Sequence, residues 1–230
     1  MSNQEDPILE ICYIDENYVV INKPRGMLVH PVDTPHPKNE IAMKVIRDQL
    51  GKQVYTVHRL DRPTSGLLLF ALNVPAVQIM QKMFEQQQVQ KKYIAVVHGK
   101  TQHQWQNNDE LEKPENKEMK SASTSFRQLQ FRKKGSFAED ENLEVSILEA
   151  QPHSGRYHQI RRHLANANLP IVGDYLYGDI DHNIQVAEHT QIPRMMLMAH
   201  ELSFTHPFTQ QPITINAPLC EDFKYYYNKI

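Results

Sequence analysis

One acid sits among basic side chains in the segment His58-Arg59-Leu60-Asp61-Arg62-Pro63-Thr64-Ser65-Gly66, between two apolar runs. Charged groups wedged between buried strands are costly unless they pair or work. Asp61 is therefore either half of a buried salt bridge that fixes a turn, or a carboxylate poised as nucleophile or base. A second segment, from Ser154-Gly155-Arg156-Tyr157-His158 through Gln159-Ile160-Arg161-Arg162-His163, crowds cations at a helix start. Cations there oppose the helix macrodipole. A nearby anion would justify them, either Asp61 or a nucleic-acid phosphate; otherwise they form a solvated basic face. In the third segment, Lys91-Lys92-Tyr93-Ile94-Ala95-Val96-Val97, a strand puts Tyr93 on one face with Ala95 and Val97. Tyr93 is either a core residue whose hydroxyl finds a partner or a ring on which a base can stack.

The elements that must position these groups are readable from periodicity and turn residues. The runs Ile8–Ile14 and Tyr18–Asn22, separated by Asp15-Glu16-Asn17, predict a β-hairpin. Residues 39–50 predict a helix ended by Gly51, and residues 53–57 and 67–72 predict strands on either side of the Asp61 segment. Asn73 caps a predicted helix over 74–88, with Val77, Met80, Met83 and Phe84 inward. Residues 92–98 read as a buried strand and 101–121 as a polar mobile loop or insertion. Strand pairs are expected over 123–131 with 143–150, around the link 132–142, and over 195–204 with 211–217. A short helix is expected over 157–167. The mixture lacks regular βαβ alternation, which predicts an α+β fold on a largely antiparallel mixed sheet with flanking helices. No strong internal linker appears, so one domain over 1–230 is expected.

Composition narrows the class. The 230 residues are 40% hydrophobic and 23% charged, an ordinary globular balance. Cys12 and Cys220 are too few for a disulfide scaffold and read as buried or half-buried thiols in a reducing cytoplasm. No secretory leader and no membrane-spanning apolar run is visible, and the acidic start with Glu5 and Asp6 reads as frayed. The net charge of −2 hides a basic middle: residues 51–100 carry seven basic side chains against two acids. Local basic density of that kind neutralises phosphates, or is simply a solvated face. The sequence has no Cys-x-x-Cys pair, His-Glu-x-x-His, phosphate-binding Gly-Lys loop, Gly-x-Ser-x-Gly elbow or dinucleotide glycine fingerprint. Chemistry without metal or cofactor, or no chemistry, is the remaining expectation.

Taken together, the segments resemble the RluA family of RNA pseudouridine synthases. The resemblance rests on Asn22-Lys23-Pro24-x-Gly26-Met27-x-Val29-His30-Pro31, the His58–Gly66 segment, the Tyr93 strand ending at Gly99, and Gly155-Arg156-x-His158-Gln159-Ile160-Arg161. Pro170-Ile171-Val172-Gly173-Asp174 and Leu202-Ser203-Phe204-Thr205-His206-Pro207 also fit, so the likeness runs from about residue 8 to about 218. It implies the pseudouridine synthase fold with a central catalytic cleft, and an RNA partner. It implies Asp61 as catalytic aspartate, Arg161 as the arginine paired with it, and Tyr93 as the tyrosine stacking on the target base and a candidate for proton transfer at C5. Arg59 would fill the space left by the flipped base, His58 would shape the turn that presents Asp61, and Arg62 and Arg156 would contact substrate. Details are nearest to a subgroup acting on uridine 65 of tRNA; ribosomal RNA as substrate and a non-catalytic RNA-binding protein are the alternatives. Some relatives carry an S4-like RNA-binding domain before the catalytic pattern, and none is expected here. A cytoplasmic monomer needing no cofactor, metal, membrane or protein partner completes the expectation.

Overall fold

The computed structural model describes residues 7–32, 36–133 and 143–228. The expectations for Glu5 and Asp6 and for most of the link 132–142 lie outside these residues. The chain forms two compact units, Met1–Gln90 with Glu201–Ala217 and Lys91–His200 with Pro218–Ile230.

In the first unit, β1 (Glu10–Ile14) and β2 (Tyr18–Lys23) pair antiparallel about the expected turn. The Asp15 carboxylate closes that turn by accepting the N–H groups of Asn17 and Tyr18, each at 2.7 Å. Helix α1 (Ala42–Leu50) ends at Gly51, whose φ of 61° is the left-handed cap the sequence predicts. Strands β3 (Tyr55–Thr56) and β4 (Ser65–Ala71) bracket the Asp61 segment. All of β4 is buried, and it pairs antiparallel with β2, Lys23 opposite Gly66. Helix α2 (Val74–Glu85) starts as expected, with Asn73 Oδ1 accepting the Ala76 N–H at 2.9 Å. Its buried stripe is Ala76, Met80 and Met83, while Val77 and Phe84 are half-buried at its edge.

The second unit is built on β5 (Gln90–His98), β6 (Gln104–Asn107), β7 (Leu111–Glu112), β8 (Met119–Lys120), β9 (Thr124–Arg132) and β10 (Val145–Pro152). Antiparallel pairing runs β5–β10–β9–β6, and β7 with β8 forms a separate hairpin. The stretch 101–121, expected as a mobile loop or insertion, thus supplies β6, β7 and β8. Two isolated apolar residues correct that reading. Trp105 stacks on Phe126 at 4.8 Å, and Leu111 is buried. The half-buried Trp105 and the buried Leu111 anchor a stretch whose composition reads as solvent.

Helices α3 (Gln159–Asn166) and α4 (Ile180–Thr190) follow. Strand β11 (Leu197–Thr205) begins in the second unit and ends in the first, where it pairs antiparallel with β12 (Pro212–Asn216). Helix α5 (Glu221–Asn228) buries Phe223 and Tyr226. These strand pairs and five helices bear out the α+β class. Among the described residues no helix is long and apolar enough to cross a membrane. Cys12 is half-buried and Cys220 is exposed, so the expectation of burial fails at Cys220.

Gly173 shows how tightly the second unit closes around one turn. Its φ is +74°, and a Cβ there would lie 1.9 Å from the Arg194 carbonyl oxygen. That contact is with backbone, so no rotamer change relieves it. Gly173→Ala is expected to cost about 2–4 kcal/mol of stability, measured by urea unfolding; a loss below about 0.5 kcal/mol would show that the turn relaxes freely.

Candidate active site

The expected site residues fall in both units: His58, Arg59, Asp61 and Arg62 in the first, Tyr93, Arg156 and Arg161 in the second.

In the first unit the Asp61 carbonyl accepts the Thr64 N–H at 3.0 Å, closing a turn around Arg62 and Pro63. A second loop grips this turn. Gly26 N–H donates to the Arg62 carbonyl at 2.8 Å, and Arg62 Nε donates back to the Gly26 carbonyl at 2.8 Å. Lys23 has no solvent exposure, and its ammonium donates to the carbonyls of Pro24 at 2.9 Å, Met27 at 3.0 Å and Arg62 at 3.3 Å. A buried ammonium is tolerable only with its donors satisfied, so Lys23 welds the Pro24–Met27 loop to the Asp61 turn. Asp61 is half-buried, while Arg59 and Arg62 are exposed. His58 Nε2 accepts the Leu69 N–H at 2.9 Å, and its ring stacks on Phe84 at 4.7 Å. His58 therefore braces the turn against β4 and α2. Arg62 also builds the turn, with its Nη2 3.5 Å from Glu40 Oε2.

In the second unit Tyr93 lies half-buried on β5, opposite Ala150 of β10. Arg161, on α3, is almost fully buried and makes a two-point ion pair with Asp174: Nε to Oδ2 at 2.7 Å and Nη2 to Oδ1 at 2.8 Å. The anion that the cationic helix start called for is thus supplied at least in part by Asp174, to which the sequence assigned no role. Its Nη1 approaches His158 Nδ1 at 3.3 Å, and the guanidinium lies over the Tyr177 ring at 5.0 Å. His158 stands at φ 51°, a left-handed conformation that L residues rarely adopt and that collects at functional sites.

The turn before α3 is held by Gln159. Its Oε1 accepts from Ser154 Oγ at 2.7 Å and from Arg156 N–H at 3.0 Å, and its amide donates to the Ser123 carbonyl and to Thr124 Oγ1. Part of the basic face of α3 is spent on the 101–121 stretch. Arg156 Nε donates to the Ser121 carbonyl at 3.0 Å and Arg162 Nη1 to the Glu112 carbonyl at 2.8 Å. His163 Nε2 meets the Asp109 carbonyl at 3.2 Å; a carbonyl only accepts, so that nitrogen carries the proton. Arg156 remains exposed, whereas Arg162 is half-buried.

Behind Asp174 lies a histidine. Asn183 Oδ1 accepts the Gly173 N–H at 2.7 Å, which fixes its amide orientation, and His98 Nε2 must then donate to the same oxygen at 3.1 Å. His98 Nδ1 is buried with no hydrogen-bond partner among the described residues. Burial pulls the His98 pKa down from 6.5 to about 4.

A sequence profile described as RNA pseudouridylate synthase matches residues 17–166 of this chain. The chain belongs to the RNA pseudouridylate synthase family. Several of its RluA-type motifs lie on the clamped turns just described, and the Tyr93 motif lies on β5. It is 41% identical over 228 residues to the tRNA pseudouridine synthase C of Vibrio cholerae, covering 93% of this chain and 92% of that one. It is 37% identical over 233 residues to the protein of the same name from Haemophilus ducreyi, covering 96% and 95%. Among solved structures, human RNA pseudouridylate synthase domain containing 1 shares the fold at 22% identity, with a TM-score of 0.74 over 95% of this chain and 86% of that one. As a pseudouridine synthase the protein is an isomerase, and the residues that sequence reasoning left without a role are Lys23, Gln159, Asp174 and Asn183. The first three lie within the motifs quoted above; Asn183 carries no local signal, because α4 has no clear apolar stripe.

Two outcomes follow from this geometry. Asp174→Ala removes the buried carboxylate that meets Arg161 at two points and is expected to cost about 3–5 kcal/mol in urea unfolding; a loss under about 1 kcal/mol would mean that the pair does not hold the turn. His98 has a folded pKa below its unfolded one, so its share of stability is complete above pH 6.5 and drains away as pH falls toward 4. Between pH 7 and 5 the wild type should lose about 2 kcal/mol more than His98→Gln; parallel pH profiles for the two would contradict the burial argument.

Proposed function

We propose that the protein isomerises uridine to pseudouridine in tRNA, at position 65, with Asp61, Tyr93 and Arg161 as its catalytic residues. Family membership makes the reaction pseudouridylation. The tRNA assignment is carried by the near-full-length identity to enzymes named tRNA pseudouridine synthase C.

The reaction breaks the N1–C1′ glycosidic bond, turns the detached uracil and joins C5 to C1′. The proton lost from C5 balances the one gained at N1, so no atom enters or leaves and no cofactor is called for. The target uridine must first leave its stack, which costs a few kcal/mol. In this reading Arg59, which is exposed beside the Asp61 turn, enters the gap in the RNA and offsets part of that cost. Asp61 must carry its charge to act on the ribose, either at C1′ or at the 2′ proton. The Lys23 and Gly26 contacts leave its backbone little freedom, and such positioning lowers the entropy lost on reaching the transition state. The half-buried Tyr93 ring offers a surface for the detached uracil and a hydroxyl for proton transfer at C5. Arg161, oriented by Asp174, supplies positive charge in a dry environment, where it acts strongly. Arg156, Arg62 and His58 complete the proposed substrate contacts. One monomeric, cytoplasmic catalytic domain over 1–230 is part of the same reading.

Pseudouridine mapping on tRNA and ribosomal RNA, each incubated with wild type and with Asp61→Ala, tests it. A new pseudouridine at position 65 of tRNA is expected with wild type, with turnover at least 1,000-fold lower in the variant and RNA binding retained. A mark confined to ribosomal RNA would move the substrate, and turnover by Asp61→Ala would remove Asp61 from the mechanism.

A further inference from the structure

We propose that the outer face of Tyr157 is a stacking subsite for an unpaired nucleobase of the RNA substrate, flanking the base that reacts. The proposal rests on the RNA-isomerase reading and adds a recognition residue to it.

Tyr157 is 43% exposed, yet it is not loose. One side of its ring lies on His158, with centroids 3.7 Å apart and planes 20° from parallel. The left-handed backbone of His158 brings these neighbouring rings together. His158 is fixed in turn. Its Nδ1 is 3.1 Å from the Tyr177 hydroxyl, the two rings meet edge to face at 5.7 Å, and Nδ1 is 3.3 Å from Arg161 Nη1. A guanidinium only donates, so Nδ1 accepts there. Arg161 is itself locked by Asp174. The rings form a short column, anchored inside at the Arg161–Asp174 pair and ending outside at Tyr157.

An ordered aromatic ring at the end of such a column suits a nucleobase. Little conformational entropy remains to be lost when a partner stacks on it. Arg156, the preceding residue, is exposed, and its guanidinium donates to the protein through Nε alone among the described residues, to the Ser121 carbonyl. An aromatic platform beside a cation is the pairing that single-stranded nucleic acid uses, ring to base and charge to phosphate. The base must be unpaired, because a base inside a duplex already has both faces covered. Flipping the target uridine out of its stack exposes a neighbouring base in this way.

Binding and turnover separate this proposal from the reading beneath it. In an Asp61→Asn background, expected to bind without turning over, the Kd of a tRNA transcript is compared for Tyr157, Tyr157→Ala and Tyr157→Phe by fluorescence anisotropy. The transcripts include a series in which each nucleotide around the target is replaced singly by an abasic one. Tyr157→Ala is expected to weaken binding roughly 5- to 100-fold, the range for one stacked base. In the active enzyme it should raise KM by a similar factor, with kcat changed less than threefold. Tyr157→Phe, which keeps the ring, should restore both. At one flanking position, removing the base should abolish the difference between Tyr157 and Tyr157→Ala. Unchanged Kd and KM in Tyr157→Ala, failure of Tyr157→Phe to rescue, or an equal penalty at every abasic position would each overturn the subsite. Absence of pseudouridine with wild-type enzyme would instead overturn the tRNA reading while the binding comparison still reports on Tyr157.

Discussion

The buried pair between Arg161 and Asp174 is the constraint on which the arrangement around α3 in the second unit depends. Asp174 does more than neutralise a charge. Its Oδ1 also meets the N–H groups of Leu176 and Tyr177, and its carbonyl accepts from Gly178 N–H and Asn183 Nδ2. One residue thereby joins α3, the turn after Gly173 and α4. A buried ion pair contributes little net stability compared with well-packed apolar groups. Its contribution here is orientation: the planar fork of a guanidinium meeting both carboxylate oxygens leaves one geometry for the rest of the side chain. His158 and Tyr177 then sit against a guanidinium that does not wander, and Tyr157 sits against His158.

The first unit solves a related problem with a different cation. Three backbone carbonyls converge on Lys23 from two loops. An ammonium suits that arrangement because its three donors point in separate directions and can be rotated to meet them. A guanidinium in the same space would present a flat fork to partners that are not coplanar. The two clamps therefore use lysine and arginine for distinct reasons. In both, a buried cation met by fixed oxygens stiffens a segment that carries one of the proposed catalytic side chains. The strained His158 and the close-packed Gly173 are tolerated because the clamps over-determine the surrounding backbone.

What was legible in the sequence follows the same division. The hairpin at Asp15, the Asn73 cap and the Gly51 stop are local devices, so their residues announce them. Asp61, Tyr93 and Arg161 stood out because ionisable or aromatic side chains in apolar strands and at helix starts are anomalous. Asp174 did not, since an aspartate after a glycine reads as an ordinary turn. Its role depends on Arg161, 13 residues earlier in the chain. The stretch 101–121 misled for a related reason. Composition averages over a window, and two apolar residues, Trp105 and Leu111, decide its structure. Helix α4 buries Asn183 and Thr190 beside Val186, so its inward face is partly polar and lacks the apolar stripe that marks a helix.

Charge alone does not explain how such a chain would grip RNA. The basic excess in residues 51–100 shrinks on inspection. Arg62 spends its Nε inside the turn, and Lys91 is held half-buried, with desolvation pulling its pKa down. Arg162 donates to the protein's own backbone. Each cation withdrawn from phosphate contact removes about one unit from the salt dependence of binding and part of the non-specific affinity. An enzyme that must also extract a base from its stack needs energy that ion pairing does not supply. Rings supply it, because stacking on a preformed aromatic surface compensates directly for the stacking lost in the RNA. On that argument, RNA recognition as proposed for a chain of net charge −2 rests on rings such as Tyr157 and Tyr93, with Arg59 entering the gap left by the flipped base and Arg156 meeting phosphate.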